Sequence, residues 1–200
     1  MLWKVELLPL AAAISPDVDE ATLLRRAREG DEGAFAELYA RHHRPIYRYA
    51  ARMCGPDAAD DVLQETFVVI LERGERFDPA RGTFGAFLFG IARHMVLKQL
   101  GPKYQVPPAD AADAVTPSPP PDALDALSAR ERIEAVRVAI ASLPPVYREA
   151  VVLCDLEELE YPAAARVVGC PIGTIRSRLH RARALLVTKL AALRAPERSC

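Results

Sequence analysis

The 200-residue chain lacks the spacings that build a metal centre or a disulfide framework. Its four cysteines, Cys54, Cys154, Cys170 and Cys200, are scattered, with no Cys-x-x-Cys pair and no histidine at zinc-ligand spacing. They read as reduced thiols of a cytoplasmic protein. Cys54 and Cys154 fall in apolar helical stretches as small core residues, Cys170 falls in a turn and Cys200 at the terminus. Neither a metal nor any other cofactor is expected. No nucleophile–base–orienter set and no phosphate loop is present, and His42-His43 reads as a part-buried, part-solvated pair, so an enzyme is not expected. Apolar alternation and internal repeats are missing too, which argues against strands and against a solenoid. No apolar run reaches membrane-spanning length. The stretch Leu7 to Ile14 follows a single lysine, Lys4, and the acidic Glu6 lies between them, so it reads as an extra tail or an early start rather than a signal peptide, and no membrane insertion is expected.

What the chain does have is helix. Half of its residues are hydrophobic, enough for compact cores, and proline is concentrated where Pro107, Pro108, Pro117, Pro119, Pro120 and Pro121 crowd a stretch rich in Ala and Asp. That stretch predicts a tether at 105–122 between two small all-α domains, 23–104 and 123–195, behind an N-terminal extension at 1–22. In the first domain Phe35, Leu38, His42, Ile46, Tyr49 and Met53 recur at three and four residues as a core stripe. Gly55-Pro56 ends that helix, Asp57 can cap the next, and Val62, Thr66, Val69 and Ile70 define its buried face opposite Asp60, Asp61, Gln64 and Glu65. Glu75 to Phe84, with Asp78-Pro79 and Gly82, predicts a projecting loop. In the second domain Ser128-Ala129-Arg130-Glu131 is a capping box, leading into Ile133, Val136, Ile140 and Leu143. Pro144-Pro145 opens a helix buried along Val146, Ala150, Leu153 and Cys154.

A net charge of −1 conceals a strong local field. From Tyr161 to Ala195 there is no Asp or Glu, while Arg166, Arg176, Arg178, Arg181, Arg183, Lys189 and Arg194 all lie there. Within that run Pro162 to Val168 is a short helix, Gly169 supplies a helix end, and a second helix begins after Pro171. At about 100° per residue, Ile172, Ile175, Leu179, Ala182 and Leu186 share one side, leaving Thr174, Arg176, Ser177, His180, Arg181 and Arg183 outside. Two helices on so tight a turn make a helix-turn-helix, and a basic exposed arc on its second helix is suited to neutralising phosphates in a DNA groove. Arg178 and Arg183 flank that arc, so they are expected on the sugar-phosphate walls, with Arg176 and Arg181 on base edges.

The run Cys170-Pro171-Ile172-Gly173-Thr174-Ile175-Arg176-Ser177-Arg178-Leu179 resembles the −35-reading helix of bacterial RNA polymerase sigma factors of the extracytoplasmic-function type. Asp60-Asp61-Val62-Leu63-Gln64-Glu65-Thr66-Phe67 resembles that family's core-polymerase-binding helix. Arg76-Phe77-Asp78-Pro79-Ala80-Arg81-Gly82-Thr83-Phe84, with Ala86 to Arg93, resembles its −10-reading segment. The motifs occur in the family's order, and the resemblance covers roughly Leu23 to Tyr104 and Leu124 to Leu193. It implies a promoter-specificity subunit that binds core RNA polymerase through its beta-prime and beta subunits and directs initiation at −35 and −10 elements, with promoter DNA and an anti-sigma factor as further partners. By this resemblance Asp60, Asp61, Gln64 and Glu65 dock on polymerase. Arg76, Arg81, Phe84, Arg93 and Lys98 hold the −10 strand, and Thr174, Arg176, Ser177, Arg178, His180, Arg181 and Arg183 contact the −35 duplex. The chain departs from the family where Phe87 stands for the usual Trp, Gly85 and Gly90 for frequent basic residues, and His94 for Asn. Two other readings share some of these features: a helix-turn-helix regulator acting without core polymerase, and a sigma-like protein that docks on polymerase but opens DNA poorly.

Overall fold

A computed structural model describes residues 18–104 and 129–192. The proline-rich tether at 105–122 and the Ser128 end of the capping box therefore lie outside the described residues, as do Met1 to Asp17 of the N-terminal extension. Among the described residues every regular element is helical. The first half comprises α1 (Glu20–Arg28), α2 (Glu32–Cys54), α3 (Pro56–Arg73) and α4 (Phe84–Leu100), with single 3-10 turns at Gly74–Arg76, Pro79–Arg81 and Gly101–Lys103. The second half comprises α5 (Ala129–Ala141), α6 (Pro145–Val151), one π turn (Val152–Leu156), α7 (Tyr161–Val168) and α8 (Ile172–Ala192).

Local chemistry explains the helix ends. Asp19 accepts the Thr22 amide at 2.9 Å and Asp31 accepts that of Ala34 at 3.0 Å, each satisfying an otherwise unpaired donor at a helix start. The first helix thus opens before Leu23, and His42 Nε2 reaches back 2.6 Å to Glu20 Oε1 to tie it to α2. The cap expected of Asp57 is not made. Gly55 occupies the N-cap position with Pro56 in the first turn, and proline's missing N–H reduces what a cap would have to satisfy.

The core stripe of α2 is buried at Leu38, Ile46, Tyr49 and Met53, with Phe35 and His42 at its half-exposed margins. On α3, Ala59, Val62, Leu63, Thr66, Phe67 and Ile70 turn inward, and the Thr66 hydroxyl donates to the Val62 carbonyl at 2.7 Å, so this buried polar atom is paired. Ile140 and Leu143 bury as the periodicity requires, but Ile133 remains 54% exposed because it sits in the first turns of α5, where the helix has little to pack on.

The two halves meet. Helix α4 packs on α7, and α2 touches both α6 and the π turn, so a continuous set of buried residues runs from Leu23 in α1 to Ala182 in α8.

Candidate polymerase and nucleic-acid interfaces

Helix α7 ends in a left-handed Gly169 (φ 71°), whose N–H reaches the Ala165 carbonyl at 2.9 Å while that of Cys170 reaches it at 3.0 Å. A side chain at this φ would be strained, which accounts for glycine here. The Pro171 carbonyl then accepts the Thr174 amide at 2.9 Å and opens α8. Ile175, Leu179 and Ala182 are fully buried where α8 packs on α6 and α7. Gly173, Arg176, Ser177 and His180 are exposed, and Thr174, Arg178 and Arg181 half-exposed. Ile172 departs from the apolar stripe and stays exposed. Side chains on a helix cover the turn that precedes them, and at the first residue there is none. Arg183 is exposed, yet its guanidinium forks onto Asp155, with Nη2–Oδ1 at 2.6 Å and Nε–Oδ2 at 3.1 Å, and this pairing raises its pKa. This fork ties α8 to the π turn through two of the guanidinium's N–H donors.

On α3, Asp60, Asp61, Gln64 and Glu65 are all exposed, one face of a helix whose opposite face is core. Beside them lies a groove of about 350 Å³ that sequence reasoning missed, floored by Phe35, Leu63, Phe67 and Leu71 and edged by Tyr39 and Val68. Tyr39 lies between the rings of His43 (stacked, 4.9 Å) and Phe67 (4.9 Å) and is held upright with part of its surface in water. The signal was present in the spacing Phe35/Tyr39 and Leu63/Phe67/Leu71, two i,i+4 series that meet between α2 and α3.

The third region is a cleft of about 800 Å³ bounded by α3, the loop, α4 and α7. Arg76, Arg81 and Lys98 line it with Phe87, Ile91 and His94, and Arg166 and Val167 of α7 form the facing wall. The loop is shaped by two side-chain caps. Asp78 accepts the Ala80 amide at 3.0 Å and Thr83 accepts that of Ala86 at 3.2 Å, so α4 starts where the loop turns into the cleft.

Two residues expected on the −10 strand are elsewhere. Phe84 is 0% exposed, its ring in edge contact with His42 (5.2 Å) and Phe77 (5.1 Å), because the first residue of α4 points down into the α2–α3 core. The half-exposed phenylalanines on the cleft are Phe77 in the loop and Phe87, one turn on from Phe84. Arg93 turns away from the cleft toward α6, where Nε donates to Glu149 Oε1 at 2.9 Å and Nη2 meets the Tyr104 hydroxyl at 3.2 Å. Burial works against this cation, but the Glu149 carboxylate and Tyr104 outweigh it and its pKa lies above the ordinary value.

Glu149 itself is fully buried and accepts hydrogen bonds from Tyr49 (3.0 Å), Arg93 and the Tyr104 hydroxyl, all from the first half. Burial, and then the Glu149 carboxylate, raise both phenols, Tyr104 to about 12 and Tyr49 well above its ordinary value. A second carboxylate, Glu157, takes Arg48 Nη2 at 2.5 Å and Arg52 Nη1 at 3.2 Å. Neither glutamate belongs to a sequence motif that points to a site.

A helix-turn-helix with an exposed basic second helix, and a cationic cleft that its first helix helps to wall, are features of a DNA-binding protein. Residues 38–101 match the Sigma-70 region 2 family and residues 133–186 match Sigma-70, region 4. The chain is 32% identical over 178 residues to the ECF RNA polymerase sigma factor SigC of Mycobacterium tuberculosis, an alignment covering 89% of this chain and 95% of that protein. It is 34% identical over 171 residues to the ECF sigma factor SigE of Mycolicibacterium smegmatis, covering 81% of this chain and 65% of that longer protein. Among solved structures it is similar to CnrH in complex with the cytosolic domain of CnrY (27% identity, TM-score 0.64, 86% of this chain and 97% of that one). It is also similar to the sigma factor RpoE of Bartonella quintana in complex with the anti-sigma factor NepR (26%, TM-score 0.60, 78% and 96%). The chain belongs to the sigma-70 family and is a sigma factor of the extracytoplasmic-function type, a non-enzymatic factor for promoter-specific transcription initiation. No described helix is long and apolar enough to cross a membrane.

Proposed function

We propose that residues 23–104 dock on core RNA polymerase through Asp60, Asp61, Gln64 and Glu65 and hold the −10 non-template strand in the cleft of Arg76, Arg81, Lys98 and Phe87. Residues 123–195 read the −35 duplex with α8. Arg176 and Arg181 meet base edges, Arg178 meets the backbone, and Thr174, Ser177 and His180 line the same groove. The observation that carries this reading is the geometry of α8: its apolar arc is buried to the last atom at Ile175 and Ala182, so Arg176, Ser177 and His180 have only solvent or a groove to face. A melted strand offers phosphates and unstacked base faces, and the cleft supplies cations around the half-exposed rings of Phe77 and Phe87. An anti-sigma factor is a further partner, by analogy with the complexes of the structural neighbours, and the site of action is the cytoplasm, where the polymerase is.

Run-off transcription with core polymerase on a library of random upstream sequences tests this. The chain should select one −35/−10 pair, and Asp61→Ala with Glu65→Ala should abolish selection by weakening core binding while leaving the fold intact, since exposed changes away from caps cost under about 0.5 kcal/mol. Pull-down of core polymerase unchanged by that double substitution would favour a regulator that acts on DNA alone.

A further inference from the structure

We propose that Asp155 limits the charge that α8 shows to DNA: its carboxylate cancels Arg183, and so withholds this arginine from the phosphate wall on which its place along the helix would put it. The proposal rests on the reading of α8 as the −35 helix. Arg183 follows Arg176 by seven residues, which sets it within about 20° of Arg176 around the axis and about 10 Å further along. Its side chain is 55% exposed, so burial does not keep it from DNA. Its partner does. Both oxygens of Asp155 face it, Oδ1 at 2.6 Å from Nη2 and Oδ2 at 3.1 Å from Nε. A phosphate can still reach the remaining N–H donors, but it meets a pair with no net charge and a carboxylate beside its path. Counterion release is what an arginine contributes to DNA affinity, and a neutral pair releases none.

The carboxylate is fixed in place before DNA arrives. The Glu157 amide donates to the Val152 carbonyl at 2.9 Å and the Leu159 amide to the Leu153 carbonyl at 2.9 Å, so the backbone just beyond Asp155 is tied back to the start of the π turn. An ion pair this exposed adds little to stability, so the fold does not depend on it. The cations nearer the start of α8 differ. Among the described residues no carboxylate is paired with Arg176 or Arg178, and both keep their full charge for DNA. Affinity gained through phosphates is the same on every sequence. Cancelling Arg183 therefore lowers the hold of α8 on unrelated DNA without touching a base contact.

The test uses the full chain and fluorescence anisotropy over a salt series, on two fluorescein-labelled duplexes: the −35 sequence selected in the run-off experiment and a scramble of it. Asp155→Asn keeps the shape and removes the charge. It should tighten binding to both duplexes about eightfold at 0.1 M salt and steepen the slope of log K against log salt by about 0.9, the contribution of one phosphate contact. Adding Arg183→Gln to Asp155→Asn should return slope and affinity to those of the native chain, since the pair again carries no net charge. Circular dichroism reports helicity, and Asp155→Ser decides the matter if the amide variant loses it. A slope unchanged by Asp155→Asn overturns the proposal, and the −35 reading survives if the matched duplex is still preferred. A double variant that binds as tightly as the single one shows the carboxylate repelling DNA by itself, and one with a slope shallower than native shows Arg183 already on a phosphate; either result overturns the cancellation. A steeper slope reversed by Arg183→Gln, with no preference for the matched duplex, supports the cancellation and refutes the −35 reading instead. If no variant binds either duplex, the proposal and that reading fall together.

Discussion

Replacing Phe84 by alanine separates what the sequence pattern suggests from what the packing requires. The ring is completely buried and touches three others, Phe77, His42 and Phe87, at centroid distances of 5.1, 5.2 and 6.2 Å. Truncation of a core phenylalanine costs roughly 3–5 kcal/mol, made of lost transfer energy and the cavity left behind. The upper part of that range applies here, because the cavity would open among rings anchored to three different helices or loops, which cannot collapse together without moving α4. Against a total stability of about 5–15 kcal/mol, that is a third or more. Since one kcal/mol moves the midpoint of a domain this size by roughly 2–4 °C, the expected fall is roughly 10–20 °C. Thermal unfolding followed by circular dichroism measures it. The companion Phe87→Ala, on a half-exposed cleft residue, should lose much less stability and instead weaken binding of single-stranded DNA. If Phe84→Ala keeps its midpoint and loses DNA binding, the ring is a stacking platform and its placement in the core is wrong.

On α8, Arg176→Ala should cost roughly 1–3 kcal/mol on the preferred −35 duplex and flatten base preference, whereas Arg178→Ala should weaken all duplexes alike and reduce the salt slope. Equal losses on matched and scrambled duplexes would reduce α8 to an electrostatic clamp. Gly90→Ala should raise stability by about 0.5–1 kcal/mol in urea, because a Cβ there meets nothing within 4 Å and alanine is the better helix former; a loss would show that the site needs its missing side chain. The Tyr104 phenol is raised to about 12 by burial and by Glu149, so its contribution to the contact between the halves is full below its ordinary value near 10 and is lost as pH rises through about 12. Glu149, Arg93 and Tyr49 face that cluster, and the radius of gyration should grow over this window. Opening that is complete below pH 10 would contradict the assignment.

Most of the helical layout was legible because it is local. Ile175, Leu179 and Ala182 announce a buried arc through spacing alone, and Gly169 announces the turn because few other residues tolerate its dihedrals. The seam between the halves was not legible, since Arg93 pairs with a residue 56 positions away and Arg48 with one 109 away. One clue was available. Glu149 falls on the stripe Val146, Ala150, Leu153, and Arg93 falls on the stripe Phe89, Ala92, Val96, so each is a charge on a face that is otherwise core. Two opposite charges stranded on apolar stripes have a reason to find each other. Reading Arg93 as a DNA contact treated it as surface because it is charged, and its helical phase pointed the other way.

The π turn at Val152–Leu156 has a consequence for how this chain tolerates insertion and deletion. A π turn carries one more residue per turn than an α-helix, which sets the phase of everything that follows by about 100°. Asp155 and Glu157 lie at its end and point opposite ways, one to Arg183 on α8 and the other to Arg48 on α2. Deleting a single residue there, such as Cys154, would convert the turn to ordinary helix and rotate both carboxylates away from their partners together. One codon thus sets the alignment of the recognition helix with its own support and the fit of the two halves.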